Sequence, residues 1–462
     1  MAPAKINATL LGLSSCQVLT YPAQPSPNSV LSTEAPRYGT DVDSLTVMFS
    51  RLGTTAGAEG TLVDFCIAAL RSGRACHLVI AKSTIRQRIA LRRGLRVYRE
   101  RRGQLTVSGS HRLLDFRVSR SVHAEDVIHT RRLPITSLRY ILNPLRPLTR
   151  RRLFISKSVL VGDVLSNRGL DELRTLAPKA QILLNHNGEP SDLLERWSPR
   201  DNSAMLSREE KNQAYAQHMS IFSLVLFQST AQEQAFKQMV GDGGPATQTL
   251  WPSCDEREAL RARQGPSPYT NAKLNIVCVA KFQPRKGQLQ LLQAFKGVLP
   301  DYPEMHLTFV GGSVGEQSYL VECQEFSRSS ELDSSVTFIG ATRDPLPYTA
   351  HCDLFALASA GEGVSRAVRE AAFLGRPILT TRLDGLVSFL GERGAFFCAN
   401  SNVGEVKKQL LRAAGSPADR QQKGAVARQR FWNLASFETF CRSVDEMLTA
   451  LPSKQPQNGR QL

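Results

Sequence analysis

The amino-acid sequence predicts an α/β protein with two domains, each built on a parallel β-sheet that is covered by helices. Short apolar runs of strand length alternate with helical patterns along much of the chain, and this alternation favours parallel sheets. Several of these runs end in a glycine turn, at the sheet edge where such folds bind ligands. The length of 462 residues suits more than one domain, and a hydrophobic content of 42% is enough for buried cores.

Composition sets the predicted domain boundaries. Residues 1–40 form a flexible leader rich in Pro and Ser, and residues 41–255 form the first domain. A linker at 256–271, rich in Arg, Gln, Gly, Pro and Ser, leads into the second domain at 272–430. Residues 431–451 hold a C-terminal helix, and residues 452–462 form a disordered tail.

Strand patterns define the first domain. They occur at Leu45–Phe49, His77–Ala81, Val159–Asp163, Gln181–Asn187, Leu224–Ser229 and Thr249–Pro252. A glycine-containing loop around Gly57 follows the first of these runs, and glycine there lets the backbone approach a ligand closely. His186 lies at the end of the fourth run.

The second domain has a clearer alternation of strands and helices. Its strand patterns occur at Leu274–Ala280, Leu307–Gly312, Val336–Gly340 and Asp353–Leu357, with one more after Gly375. Lys281, Gly311, Gly340 and Glu362 each come just after such a run or at its end. Because the carboxyl ends of parallel strands meet at one edge of a sheet, we expect these residues to converge on one crevice.

The segment Ser359–Glu370 holds two glutamates, Glu362 and Glu370, with a turn of small residues and a helix start between them. The first backbone N–H groups of a helix have no intrahelical partner and attract anions. The two carboxylates are acceptors that suit sugar hydroxyls. Taken alone, a surface helix that carries two acids is the alternative interpretation.

This segment resembles the E-x7-E region of the retaining glycosyltransferases of family 4, which have the GT-B fold of two Rossmann-like domains and use nucleotide-sugar donors. The resemblance implies that Glu370 binds the ribose of the nucleotide. It implies that Glu362 lies near the donor sugar as a catalytic residue. It also implies that Gly363, Val364 and Ser365 present backbone amides to the sugar and phosphates, although the family more often has Phe-Gly at Val364-Ser365.

The loop after Leu274–Ala280 carries the same resemblance. Family 4 has an Arg and a Lys five positions apart at this place, and Lys281 and Lys286 occupy those positions here. The resemblance implies that both hold the donor diphosphate. Fixed cations suit the reaction because the leaving diphosphate gains negative charge as the glycosidic bond breaks. Lysine in place of arginine changes a bidentate fork into a point charge, for which the neighbouring Arg285 is a candidate replacement.

Two residues of the first domain also match the family. Gly57, within Ala56-Gly57-Ala58-Glu59, corresponds to the family's first loop and is expected at the donor phosphates or the acceptor. His186 stands where many members carry a histidine that faces the cleft, so the resemblance implies a catalytic role for it; a histidine satisfied within its own loop is the alternative. The GT-B fold generally works without a bound metal, so we expect no metal or cofactor, with the nucleotide-diphosphate sugar as co-substrate.

Positive charge is concentrated between residues 82 and 157, where 20 Lys and Arg face four acidic residues, a net +16 of the overall +17. The resemblance places the acceptor on the first domain, so this charge predicts an anionic glycan or glycolipid acceptor, or an anionic membrane surface. An arginine-rich solvated surface without a partner is the alternative. No apolar run approaches the ~20 residues of a membrane span, and we expect a cytoplasmic protein that is peripheral on the inner face of the membrane.

The favoured function is a retaining glycosyltransferase that moves a sugar from a nucleotide-diphosphate sugar to an anionic or lipid-linked envelope glycan. A nucleotide-sugar epimerase or a phosphorylase of the same fold is the second hypothesis; a phosphorylase would need a pyridoxal lysine site, for which the sequence gives no convincing candidate. A nucleic-acid-binding module built on the basic segment is the third. That segment has no zinc-ligand spacing and no RNA-recognition aromatic motif, so we expect no nucleic-acid partner.

Overall fold

The computed structural model describes residues 44–49, 61–62, 64–65, 68–69, 72, 75–80, 96–99, 104–111, 114–121, 158–161, 180–186, 207–241, 244–269, 274–313, 318–342 and 344–451 of the 462. The predicted leader at 1–40, the loop around Gly57 and the predicted tail at 452–462 lie outside these residues, and so does much of the basic segment at 82–157.

Nine strands lie in the described residues before position 250. They are β1 Ser44–Phe49, β2 Ala75–Ile80, β3 Arg96–Arg99, β4 Gln104–His111, β5 Leu114–Ser121, β6 Ser158–Val161, β7 Gln181–Asn185, β8 Leu224–Phe227 and β9 Ala246–Thr249. Six of them form a parallel sheet in the order β2-β1-β6-β7-β8-β9, and β3, β4 and β5 pair antiparallel in a separate sheet. Every residue of β6, β7 and β8 is buried, which explains why these strands are nearly continuous apolar runs.

The second sheet also has six parallel strands. They are β10 Leu274–Val279, β11 Met305–Val310, β12 Val336–Gly340, β13 Leu354–Leu357, β14 Ile378–Thr381 and β15 Phe396–Cys398, in the spatial order β12-β11-β10-β13-β14-β15. This is the order of doubly wound nucleotide-binding sheets, and the direction of winding reverses between β10 and β13. Two parallel sheets of this kind confirm the predicted α/β fold.

Eleven helices with complete bounds lie in the described part of the chain. They are α1 Arg208–Met219, α2 Thr230–Val240, α3 Glu256–Gln264, α4 Gln288–Val298, α5 Ser318–Ser329, α6 Leu346–His351, α7 Arg366–Phe373, α8 Asp384–Leu390, α9 Val403–Gly415, α10 Pro417–Ala435 and α11 Phe437–Ala450. Residues 61–62, 64–65 and 68–69 of the first domain are helical as well. None of the described helices is both long and apolar enough to cross a membrane.

Near the predicted linker, one strand lies elsewhere than expected, and the linker itself starts with a helix. The last strand of the first domain covers Ala246–Thr249, whereas the apolar run predicted it at 249–252. The hydroxyl groups of Thr247 and Thr249 donate hydrogen bonds to the Glu233 carboxylate at 2.8 and 2.6 Å. These bonds stabilise the polar segment as a strand. The predicted linker begins with α3, because Asp255 caps the helix start and accepts a hydrogen bond from the Glu258 N–H at 3.1 Å.

The C-terminal helix α11 packs on the first domain. Its buried residues Phe440, Val444, Met447 and Leu448 share a core cluster with β1, β6, β7 and β8. The rings of Phe440 and Phe65 meet edge to face with centroids 5.2 Å apart. The chain therefore crosses between the two sheets twice, at the segment before α3 and at the junction of α10 and α11.

Candidate active site at the edge of the second sheet

The candidate site lies where the loops after β10 and β13 leave the second sheet. These strands are parallel neighbours, with Ile276 opposite Leu354, so both loops emerge at the same edge. This is the point where the winding of the sheet reverses, which is the usual place for a ligand crevice in such folds.

Hydrogen bonds join the two loops directly. The backbone N–H of Ala360 donates to the carbonyl of Arg285 at 2.8 Å, and the Arg285 guanidinium donates to the carbonyl of Gly361 at 3.1 Å. A short 3₁₀ turn at Pro284–Lys286 shapes the first loop. The loop that carries the lysines and the loop that carries Glu362 are therefore joined by two direct hydrogen bonds.

Lys286 and Glu362 form an ion pair across these loops, between Lys286 Nζ and Glu362 Oε1. The hydroxyl of Ser359, which is fully buried, also donates to Glu362 Oε1, at 3.0 Å. The side chains of Lys286 and Glu362 are 14% and 8% exposed. A cation and a carboxylate are thus held together at the edge of the second sheet, where an incoming anion would compete for the cation.

The lysine loop lies close to the end of β13 because glycine allows its backbone to pack there without a side chain. Gly287 has φ +69°, and a Cβ built on it would lie 2.0 Å from the carbonyl oxygen of Ala358, at the end of β13. On the other side of β10, a Cβ on Gly311 would lie 1.9 Å from the carbonyl oxygen of Ala280. Both contacts leave no room for a side chain, so glycine is required at both positions.

The helix α7 begins directly after the glutamate turn. Ser365 is its N-cap residue and makes no side-chain cap hydrogen bond, so the first N–H groups of the helix are not occupied by a capping side chain. Val364 is only 2% exposed as a whole residue and packs in the core cluster of the second domain. Glu370 lies one turn further along, 4% exposed, and its Oε1 accepts a hydrogen bond from Arg366 Nε at 2.6 Å.

The remaining predicted residues are placed as follows. Lys281 follows β10, and its carbonyl accepts a hydrogen bond from the Gln288 side chain at 2.8 Å. His186 follows β7 in the first sheet and is 5% exposed, with its ring edge to face on Phe227 at 5.6 Å between centroids. The functional roles of Lys281, His186 and the other predicted site residues stay predictions, and Gly57 lies outside the described residues.

The first domain reaches the glutamate turn through α2 and α8, which pack together. A Cβ on Gly385, in the first turn of α8, would lie 3.4 Å both from the Gly363 carbonyl oxygen and from the hydroxyl of Ser229, the N-cap of α2. The site therefore lies beside the junction of the two domains.

Sequence reasoning did not identify Ser359, Arg366 or Gly385 as parts of this site. The pairing of Arg366 with Glu370 could have been predicted from the sequence, because an Arg and a Glu four residues apart on a helix are neighbours. The Glu370 carboxylate raises the pKa of the Arg366 guanidinium, so Arg366 is a permanent cation there. The Ser359 contact depends on the turn geometry after β13, for which the sequence carries no comparable signal.

Comparison with known families supports a glycosyltransferase domain at this site. Residues 273–415, which include β10, β13 and α7, match the family described as "Glycosyl transferases group 1". The structure resembles the crystal structure of Anabaena HepE in complex with UDP and glucose, with a TM-score of 0.61 at 16% sequence identity over 88% of this chain and 100% of that one. At this identity the likeness establishes the fold, which is GT-B.

Curated relatives match parts of the chain. An uncharacterized glycosyltransferase of Methanocaldococcus jannaschii is 29% identical over 106 residues, 23% of this chain and 25% of the relative. The GDP-mannose-dependent monoacylated alpha-(1-6)-phosphatidylinositol monomannoside mannosyltransferase of Corynebacterium glutamicum is 22% identical over 207 residues, 43% of this chain and 52% of the relative. The chain spans between a quarter and about half of the length of these relatives. The chain thus has the GT-B fold, and its residues 273–415 are similar to a glycosyltransferase family.

Proposed function

We propose that the protein is a retaining glycosyltransferase of family 4 that transfers a sugar from a nucleotide-diphosphate sugar to a glycan or glycolipid. The observation that carries this proposal is the contact between Lys286 and Glu362, two residues 76 positions apart that meet at the switch point of the second sheet. A cation for the diphosphate and a carboxylate for the sugar are the two groups that a nucleotide-sugar site needs side by side.

Donor binding follows from this arrangement. The diphosphate competes with Glu362 for Lys286 and receives further N–H groups from the start of α7 and from residues 363–365. Glu362, held by Ser359 at 3.0 Å, is then free to accept hydrogen bonds from the sugar. Glu370, deeper in the same helix, accepts the ribose hydroxyls. Lys281 adds a second cation at the end of β10, and this chemistry uses no metal or cofactor.

The transfer step balances without a protein nucleophile. The acceptor hydroxyl oxygen bonds to the anomeric carbon on the face that the leaving group vacates, so the anomeric configuration is retained. The bond from that carbon to the diphosphate oxygen breaks, and the acceptor proton moves to the departing diphosphate. Lys281 and Lys286 stabilise the charge that develops on the leaving group, which is where fixed cations lower the barrier most.

The acceptor belongs to the first domain in this proposal. The net charge of +16 between residues 82 and 157 favours an anionic or lipid-linked envelope glycan and a position on the inner face of a membrane. The descriptions of two similar proteins are compatible with this proposal. HepE was crystallised with UDP and glucose, which suits a nucleotide-sugar donor. The Corynebacterium enzyme is named for a phosphatidylinositol mannoside, which suits a glycolipid acceptor.

The experiment has two parts. Thermal unfolding is measured with a panel of nucleoside diphosphates and their sugars, for the wild type, Lys286→Ala and Glu370→Ala. We expect at least one nucleotide to raise the unfolding midpoint of the wild type and neither variant to respond equally, because each lacks a donor contact. Labelled donor is then incubated with anionic and neutral glycolipids, and we expect transfer to the anionic ones.

Two results would contradict this proposal. If no nucleotide stabilises the wild type, or if both variants respond as it does, the donor site is not at Lys286 and Glu370. If the donor is isomerised or hydrolysed at the same rate with and without any acceptor, the protein is an epimerase or hydrolase of the same fold. Arg382→Met serves as the control variant, because the Arg382–Glu392 pair of the same domain is solvent-exposed.

A further inference from the structure

Helix α7 is short but carries three charged side chains that are largely buried. Within eight residues it carries Arg366, Arg369 and Glu370. Arg369 and Glu370 are 3% and 4% exposed, and the side chain of Arg366 is 25% exposed. Burial of a charged group is costly unless the group is paired, so the partners of these side chains indicate what the charges are for.

Arg366 holds Glu370 with one nitrogen. Its Nε donates to Glu370 Oε1 at 2.6 Å, across one helical turn. A charge-assisted bond of this kind fixes the carboxylate plane and occupies a single oxygen. The second oxygen, Oε2, has no hydrogen-bond partner among the described residues.

Arg369 fixes the helix itself. Its guanidinium donates to the carbonyl of Ser253, in the buried segment that joins the first domain to α3. Burial lowers the pKa of Arg369 to about 10, while the carboxylate of Asp64, a buried residue of the first domain, acts in the opposite direction. Asp64 also raises the pKa of Arg366. The helix that bears Glu370 is thus held by the domain junction, and Arg366 is left to orient the carboxylate.

We propose that Arg366 is a positioning residue of the donor site, which holds the Glu370 carboxylate in the orientation that accepts the ribose hydroxyls of a nucleoside diphosphate. Arg366 acts through Glu370 and makes no nucleotide contact of its own. This inference rests on the proposed function, because it takes Glu370 as the ribose-binding group.

The test is a double-mutant cycle on nucleotide affinity. Binding of uridine diphosphate and guanosine diphosphate is measured by calorimetry for the wild type, Arg366→Met, Glu370→Gln and the double variant. Arg366→Met is expected to weaken binding of the accepted nucleotide about tenfold, the loss that one charge-assisted hydrogen bond represents. The double variant is expected to bind no more weakly than Glu370→Gln, because a residue that acts only through Glu370 adds nothing once that carboxylate is gone.

Two further measurements separate positioning from a general structural role. Arg366→Lys keeps the cation and is expected to recover part of the lost affinity. In the transfer assay, Arg366→Met is expected to raise the donor KM with little change in kcat, since it weakens ground-state and transition-state binding alike. The exposed residue Arg382 supplies the matched control, Arg382→Met, with unchanged affinity.

The outcomes distinguish the two proposals. A wild type that binds neither nucleotide, or a Glu370→Gln variant that binds as the wild type does, refutes the ribose role of Glu370 and with it this inference. If Glu370→Gln weakens binding while Arg366→Met does not, only the inference about Arg366 is wrong. Losses that add in the double variant would also overturn it, because they would mean that Arg366 contacts the nucleotide independently.

Discussion

Gly287 determines how closely the lysine loop approaches the neighbouring strand end. With φ +69° it has a backbone conformation that favours glycine, and a Cβ there would meet the Ala358 carbonyl oxygen at 2.0 Å. We expect Gly287→Ala to destabilise the second domain by about 3 kcal/mol, because strain and a backbone clash act together. The same change should weaken nucleotide binding, since Lys286 is the adjacent residue. Denaturant unfolding and the thermal-shift assay measure the two effects.

The matched control for this substitution lies on the facing loop. A Cβ on Gly361 would meet no atom within 4 Å, so Gly361→Ala should leave stability nearly unchanged although Gly361 directly precedes Glu362. If the two alanine variants are equally stable, the prediction that Gly287 packs too closely on the end of β13 to accept a side chain is wrong.

Single residues differ in how far sequence alone could place them. Lys281 and Glu362 were predicted to share one sheet edge because each follows a strand pattern there, whereas Lys286 was assigned to the site by the family resemblance. The contact of Arg369 with Ser253 spans 116 positions and crosses between domains. No local pattern encodes such a contact, since it depends on how the chain crosses from one sheet to the other.

At the scale of elements, α8 carries Gly385 against the glutamate turn, and Arg430 of α10 caps its far end. The Arg430 guanidinium donates from Nε to the Phe389 carbonyl at 3.1 Å and from Nη2 to the Ser388 carbonyl. The last carbonyls of a helix have no intrahelical donors, so a cation placed there satisfies and stabilises them.

Arg430→Met is therefore expected to lower stability by about 2 kcal/mol, as two carbonyls lose charged donors. The unfolding midpoint in denaturant measures this loss. Arg382→Met removes an arginine of similar size whose partner Glu392 is exposed, and it should change the midpoint little. If both variants shift the midpoint equally, Arg430 is not a helix cap.

Elements with a continuous buried run were the most predictable from sequence. The strands β7, β10 and β13 consist largely of buried apolar residues, and their patterns located them within two residues. The strand β9 was not located correctly from the sequence, because its residues, Ala-Thr-Gln-Thr, are partly exposed and mostly polar. Hydrogen bonds to Glu233 support its pairing instead. Edge strands of this kind lack the burial that produces a pattern.

At the scale of the whole molecule, the two sheets are joined by side-chain packing as well as by the chain. Trp251, in the crossing before α3, stacks at a tilt on Phe389 of α8 with ring centroids 5.8 Å apart. The helix α2 of the first domain packs on the same α8. A transferase that binds its donor on one domain and its acceptor on the other needs such a junction close to the reacting groups.

The second crossing makes the first domain depend on the C-terminal helix. Phe440 is 1% exposed and fills the core beside Phe65, so Phe440→Ala should destabilise the first domain by about 3–5 kcal/mol. The second domain has its own core cluster and should keep its unfolding midpoint and its response to nucleotide. Calorimetric scans with and without nucleotide would then show two transitions in place of one.

Leu260→Ala, at a residue that is 42% exposed, is the control and should leave a single transition. A Phe440→Ala scan that matches the wild type would mean that α11 does not complete the first core, and loss of the nucleotide response would mean that the two domains do not unfold independently.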